Sequence, residues 1–274
     1  MNRLDNLDFI IRYLLDERGE AYRLPSTLVD KQKLMRGLLN MRAPGPVSDD
    51  FLKAQDAELQ MQRAEKGVVG LDEIASQNRS LQGPDASLRS EKELLQEGSI
   101  RLLLWQGDIT RLQVDAVVNA ANAQMLGCFV PLHACIDNAI HSAAGVQLRL
   151  ECDMLMKEQG CDERTGDAKI TKGYNLPAKY VIHTVGPVVP DGRPTEQQEA
   201  QLASCYRSCL LLAEEYGLES IAFCCISTGV FRFPNERAAE IAVQTVRDFS
   251  PKTIHTVVFN VFKNADDDIY RKLL

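Results

Sequence analysis

From residue 100 onward, short β-rich apolar runs alternate with long amphipathic stretches, and no other feature limits the fold so sharply. Residues 100–105, 115–120, 168–174, 180–184, 220–226 and 256–261 read as about six strands. Residues 136–157, 196–216 and 235–249 carry apolar positions at helical spacing, and Pro234 suits a helix start, where its missing N–H is not needed. Strands separated by crossover helices give a layered α/β fold. The first part of the chain differs. Residues 4–15 and 26–41 are helical in period, Ala43-Pro44-Gly45-Pro46 interrupts them, and Ser48-Asp49-Asp50 is set to cap another helix through Gln60 or beyond. Residues 77–91 are polar, contain Gly83-Pro84 and read as a linker. The division is therefore residues 1–92, a helical N-terminal extension with its linker, and residues 93–274, an α/β domain.

Composition narrows the function classes. With 274 residues, 45% hydrophobic and 25% charged, the chain is an ordinary globular protein of one large domain or two small ones. A net charge of -7 argues against binding nucleic acid through its phosphate backbone, which depends on clustered Lys and Arg. Acidic residues interrupt the first apolar stretch, so it is no signal peptide, and no segment reaches the ~18–20 apolar residues that span a membrane. The expectation is a cytosolic protein whose eight cysteines are thiols. Cys224 and Cys225 lie in an apolar run, and Cys205 and Cys209 stand at helical spacing, so burial accounts for all four.

Cys128 and Cys135 stand apart. In Gly127-Cys128-Phe129-Val130-Pro131-Leu132-His133-Ala134-Cys135 they form, with His133, a Cys-x4-His-x-Cys cluster that runs straight into a helix. Three ligands are one short of a closed structural zinc site, whereas catalytic zinc keeps a position open. Cys152 or Cys161 would close the site if either supplied a fourth ligand. A Cys-His nucleophile explains less, because it leaves Cys135 idle. Asp137, in the first turn of the following helix, reads either as a complement to the helix dipole or as a carboxylate that orients a water beside the metal. His141 and His183 read as structural.

Ligands of open α/β sheets gather beyond the carboxyl ends of the strands, and three such loops carry unusual residues. They are Gly107-Asp108-Ile109-Thr110, Asn119-Ala120-Ala121-Asn122 and Ser227-Thr228-Gly229-Val230-Phe231. Each has a plain alternative as a turn: Asp and Asn favour turns, and the small residues after Ile226 suit a tight strand-to-helix connection as well as a phosphate.

Taken as an ordered set, these loops with Asp137-Asn138-Ala139-Ile140-His141 and His183-Thr184-Val185-Gly186-Pro187 resemble the macrodomain family over about residues 100–274. The resemblance implies a three-layer α/β/α macrodomain with a mixed sheet of about six strands, preceded by the helical extension. It implies ADP-ribose as ligand, with Asp108 and Ile109 reading the adenine, Asn122 at the distal ribose and Ser227, Thr228, Gly229, Val230 and Phe231 wrapping the diphosphate. Asp137 inherits the catalytic position, with Asn122 beside it, and Phe262 packs near the adenine. Arg232 departs from the family's usual glycine, which implies a stiffer or more cationic loop.

The cysteine loop also departs from the glycine-rich loop of most hydrolytic macrodomains and resembles their zinc-dependent microbial branch. That resemblance implies Zn2+ on Cys128, His133 and Cys135, and removal of ADP-ribose from modified protein side chains, with an Asp or Glu ester as the bond cleaved. It implies as substrate a lipoyl-carrier protein modified by a sirtuin-type ADP-ribosyltransferase. A noncatalytic ADP-ribose reader braced by zinc and an O-acetyl-ADP-ribose deacetylase are the alternatives. The N-terminal helices read as a cap, a lid or a docking surface, the cap first.

Overall fold

A side-chain cap starts each of the first three helices. The structure, a computed structural model, describes residues 2–19, 23–79 and 100–274. Asn2 accepts the Asp5 N–H and opens α1 (Arg3–Arg18), which Gly19 ends with φ 65°. Thr27 caps α2 (Leu28–Met41), and Ser48 caps α3 (Asp49–Lys66), which runs past Gln60. Leu7, Ile10, Ile11 and Leu14 of α1, Met35 and Leu38 of α2 and Phe51 of α3 form one apolar core. Glu58 is buried beside it and accepts from Arg3 Nε at 2.9 Å, Gln32 Nε2 at 2.8 Å and Gln62 Nε2 at 2.9 Å.

Two connections to the following α/β layers, one of them a separate two-stranded sheet, have no sequence signature. Strand β1 (Val69–Gly70) pairs in parallel with β3 (Leu112–Gln113), and α4 (Leu71–Arg79) packs beside β2 (Arg101–Gln106). Asn78 of α4 donates to the Leu104 carbonyl at 2.8 Å and accepts the Leu104 N–H at 2.9 Å, so its amide covers the open edge of β2 as a strand would. Helix α4 extends through Gln77, where the linker was expected to begin. The rest of that linker and the boundary at residue 92 lie outside the described residues.

The main sheet adds β4 (Ala116–Ala121), β5 (Ala168–Lys172), β6 (Tyr180–Val185), β7 (Ser220–Phe223) and β8 (Thr256–Val261). Its order is β2-β8-β7-β4-β6-β5, parallel throughout except for β5 against β6. This is the mixed six-stranded sheet of a three-layer α/β/α fold, as expected. Strand β5 stops at Lys172, since Gly173 turns back to bond Lys179, and β7 stops at Phe223, earlier than expected. The helices are α5 (Ile136–Ala144), α6 (Val146–Gln159), α7 (Glu196–Glu215), α8 (Asn235–Arg247) and α9 (Asn264–Leu273), the last not expected.

The single helix expected over residues 136–157 is two, α5 and α6, parted at Gly145 with φ 96°. A Cβ there would stand 2.6 Å from Gln55 Nε2, and Gln55 Oε1 accepts the Val146 N–H at 3.0 Å. The break is therefore where α3 docks, a tertiary event that local periodicity does not record. Among the described residues no helix is long and apolar enough to cross a membrane.

Candidate functional site

The parallel strands deliver their carboxyl ends to one edge of the sheet, and the loops there carry the candidate residues. Strand β4 turns Val118 and Asn119 to opposite faces, as its pleat requires. Asn119 is fully buried, donates to Asp137 Oδ1 at 2.8 Å and lies 3.2 Å from His183 Nδ1. Asp137 sits in the first turn of α5, 5% exposed. Burial pushes its carboxyl up to about 6, against the Asn119 hydrogen bond and the Arg149 charge.

His141 stands one turn further along α5, its Nε2 3.6 Å from Asp137 Oδ1, and burial pushes its ring well below the usual histidine range. Among the described residues neither ring nitrogen has a hydrogen-bond partner. His183 is pushed down to about 3 by burial and lies 2.9 Å from Thr171 Oγ1, the satisfied core histidine expected.

The cysteine loop closes on itself. Donor atoms of Cys128, His133 and Cys135 all lie within 4.8 Å of one another, and Cys128 Sγ is 3.5 Å from His133 Nδ1. A thiolate and an imidazole sharing one tetrahedral zinc stand about 3.5 Å apart, so the Cys128–His133 pair matches that spacing and the donor set fits the ion in chemistry. Cys135 is also the cap of α5, its sulfur accepting the Asn138 N–H at 3.4 Å. Among the described residues neither candidate fourth ligand joins the group: Cys152 clusters with His141 and His183, and Cys161 is exposed. Gly127, with φ 79°, crosses so close above His141 that a Cβ would lie 2.8 Å from the ring.

Asn122 shapes the start of this loop. Its Oδ1 accepts from the N–H groups of Gln124 and Met125, each at 3.1 Å, and its Nδ2 donates to the Gly127 carbonyl at 3.3 Å. Asp108 Oδ1 accepts from Thr110 N at 3.0 Å and Thr110 Oγ1 at 2.6 Å, while Lys66 of α3 stands 3.2 Å from Oδ2. Burial works to raise Asp108, but Thr110 and Lys66 hold it below the usual carboxylate range. Ile109 beside it is buried.

The third loop is drawn tight. Ser227 has φ 65° and is buried with no partner for its Oγ, and the Phe233 N–H returns to its carbonyl at 3.0 Å. The Val189 N–H bonds the Phe231 carbonyl at 2.8 Å, so the loops after β6 and β7 are joined. A Cβ on Gly229 would meet only open space, Thr228 Oγ1 donates to the Cys225 carbonyl at 3.0 Å, and Val230 is exposed. Arg232, at φ 60°, donates to the Pro190 carbonyl at 3.1 Å. Phe262 is 77% exposed.

Sequence reasoning placed Asn119 in a loop, whereas it stands inside β4, and it missed Lys66 and Arg149. The signal for Asn119 was a lone amide within the otherwise apolar run of β4. Arg149 had none: its Nε donates to the Leu126 carbonyl at 2.7 Å, its Nη1 to Leu39 O at 2.9 Å, and its guanidinium lies 4.4 Å from the Phe129 ring centroid.

The Macro domain family model matches residues 118–242. A protein-ADP-ribose hydrolase of Treponema medium is 46% identical over 278 aligned positions, covering 100% of both chains. A Staphylococcus aureus protein of the same name is 44% identical over 97% of this chain and 94% of its own. A Trypanosoma brucei macrodomain in complex with ADP-ribose is similar in structure, with TM-score 0.61 and 32% identity over 84% of this chain and 91% of that one. The chain belongs to the macrodomain family.

Proposed function

We propose that this chain is a zinc-dependent hydrolase that removes ADP-ribose from modified protein side chains and so reverses mono-ADP-ribosylation. One observation carries the reading: Cys135, one of three donors within 4.8 Å of one another, caps α5, whose first turn holds the buried carboxylate Asp137. A binding module needs no buried carboxylate beside such a cluster. Full-length similarity to proteins named for this activity supports the same reading.

Cys128, His133 and Cys135 would hold the ion, and bound zinc supplies Lewis acidity beside the scissile bond. The rest of the chemistry belongs to the chain. Backbone amides of residues 227–231 bind the diphosphate, with Gly229 leaving the approach open. Asp108 and Ile109 hold the adenine, and Asn122 fixes the loop against which the distal ribose lies. The bond cleaved is an ester between the distal ribose and an Asp or Glu side chain. Asp137 takes a proton from the attacking water, the acyl–oxygen bond breaks, and the proton passes to the ribose oxygen as the carboxylic acid departs. The substrate is an ADP-ribosylated protein; a lipoyl carrier modified by a sirtuin-type transferase is the one the resemblance implies. Eight free cysteines support work in the reducing cytosol.

His133→Ala and Cys135→Ala proteins test the reading by metal analysis and ADP-ribose release. Loss of zinc together with loss of release supports it. Loss of zinc with release at the wild-type rate overturns the metal mechanism, and ADP-ribose binding without any turnover by the wild-type protein assigns it as a reader.

A further inference from the structure

The metal loop is not held by the α/β layers alone. Between Cys128 and Cys135 the chain turns at Val130-Pro131-Leu132-His133, closed by the His133 N–H on the Val130 carbonyl at 3.2 Å. Leu132 has φ 57°, so proline followed by a left-handed residue gives this turn the order of type II, which normally takes glycine or asparagine at that place. The third residue of such a turn has no partner for its N–H within the turn. Here the partner comes from α2: Asn40, 1% exposed, accepts the Leu132 N–H on Oδ1 at 3.0 Å.

The same amide reaches the helix after the loop. Asn40 Nδ2 donates to Ser142 Oγ at 2.9 Å, and Ser142 Oγ donates to Asn138 Oδ1 at 3.3 Å. Arg36, one turn before Asn40 on α2, donates from Nη2 to that Asn138 oxygen at 2.8 Å. Asn138 closes the circuit, donating from Nδ2 to the Val130 carbonyl at 3.0 Å and from its backbone N–H to Cys135 Sγ at 3.4 Å. Two side chains of α2 therefore fix both ends of the segment that carries His133 and Cys135.

We infer that Asn40, supported by Arg36, is a positioning residue that preorganises the Cys128, His133 and Cys135 donors, so that the N-terminal helical part belongs to the metal site and is more than a cap. The inference rests on the zinc reading of that loop. Groups that orient ligands from outside the coordination sphere commonly change metal affinity by about 10- to 100-fold when removed. A hold on a left-handed leucine next to a ligand histidine is of that kind.

The test measures zinc affinity of the full chain by competition with a chromophoric chelator, for the wild type, Asn40→Ala and Gln55→Ala. Gln55 is as deeply buried and also bonds α3 to α6, but it touches no part of the metal loop. Asn40→Ala is expected to hold zinc about 10- to 100-fold more weakly, with Gln55→Ala near the wild type and with ADP-ribose release by Asn40→Ala restored by added zinc. If Asn40→Ala is insoluble, Arg36→Met, which removes the donor to Asn138, carries the same expectation. Wild-type affinity in these variants, or an equal loss in Gln55→Ala, overturns the inference while leaving the zinc reading intact. A wild-type chain that takes up no zinc overturns both.

Discussion

The side-chain amide of Asn119 donates to Asp137 Oδ1 at 2.8 Å, joining the middle of the sheet to the first turn of α5. Asn119 also lies 3.2 Å from His183 Nδ1, so one amide links β4, β6 and the carboxylate. Without it Asp137 keeps only His141 at 3.6 Å, a ring that burial pushes away from its charged form, and loses its hydrogen-bonded orientation. Asn119→Ala is expected to lower kcat for ADP-ribose release at least about tenfold with KM little changed, and to cost about 1–3 kcal/mol of stability for the groups left unpaired. Steady-state kinetics and denaturant melts measure the two effects. A rise in KM with kcat unchanged would place Asn119 in ligand binding instead.

Asp137→Asn keeps the size of the side chain and removes its capacity to accept a proton. Loss of a general base costs about 10²–10⁴ in rate, and ADP-ribose affinity by calorimetry should stay close to the wild type. The amide also replaces a buried carboxyl that burial disfavours in its charged form, so the variant should melt no lower than the wild type at neutral pH. Retained turnover would remove Asp137 from the mechanism.

Gly186 tests the joined loops. A Cβ there would stand 2.0 Å from Ser227 Oγ and 2.9 Å from Ile226 Cγ2, and Ser227 opens the loop assigned to the diphosphate. Ser227 Oγ can turn away about its side-chain bond, but its Cβ would still lie 3.3 Å off, and Ile226 is fully buried and has little room to yield. Gly186→Ala should therefore displace residues 227–231 and weaken ADP-ribose binding at least about tenfold, seen by calorimetry, while zinc content is unchanged. Unaltered affinity would separate this loop from the ligand.

Much of the sheet was legible because β4, β6 and β8 are nearly continuous apolar runs, the pattern of strands covered on both faces. The clustering of Cys128, His133 and Cys135 was legible for another reason: they lie within a few residues of one another, so local sequence already brings them together. What stayed hidden depends on distant contacts. Gly145 reads as one more helical position until Gln55 is placed against it. The β1–β3 pair is two residues long and carries no period, and Asn40 meets Leu132 from 92 positions away. The edge of β2 depends on Asn78, whose role as a strand mimic no helical pattern suggests.

The N-terminal core supplies a pH-dependent prediction that the ligand site does not enter. Burial works to raise the Glu58 carboxyl, but Arg3, Gln32 and Gln62 together hold it below the usual carboxylate value. A depressed acid adds stability above its unfolded value of 4.5 and loses that contribution as pH falls through its lower folded value. Arg3→Ala strands the buried carboxylate with two neutral amides, a loss of about 3 kcal/mol for a broken buried pair. The variant should melt well below the wild type near neutral pH. The gap should narrow as pH is lowered toward about 4, because Glu58 in the variant takes up a proton first and is no longer an unpaired charge. Melting curves of both proteins across that range measure it. A gap that stays constant with pH would mean that Arg3 acts through the packing of its stem on α3 and not through its charge.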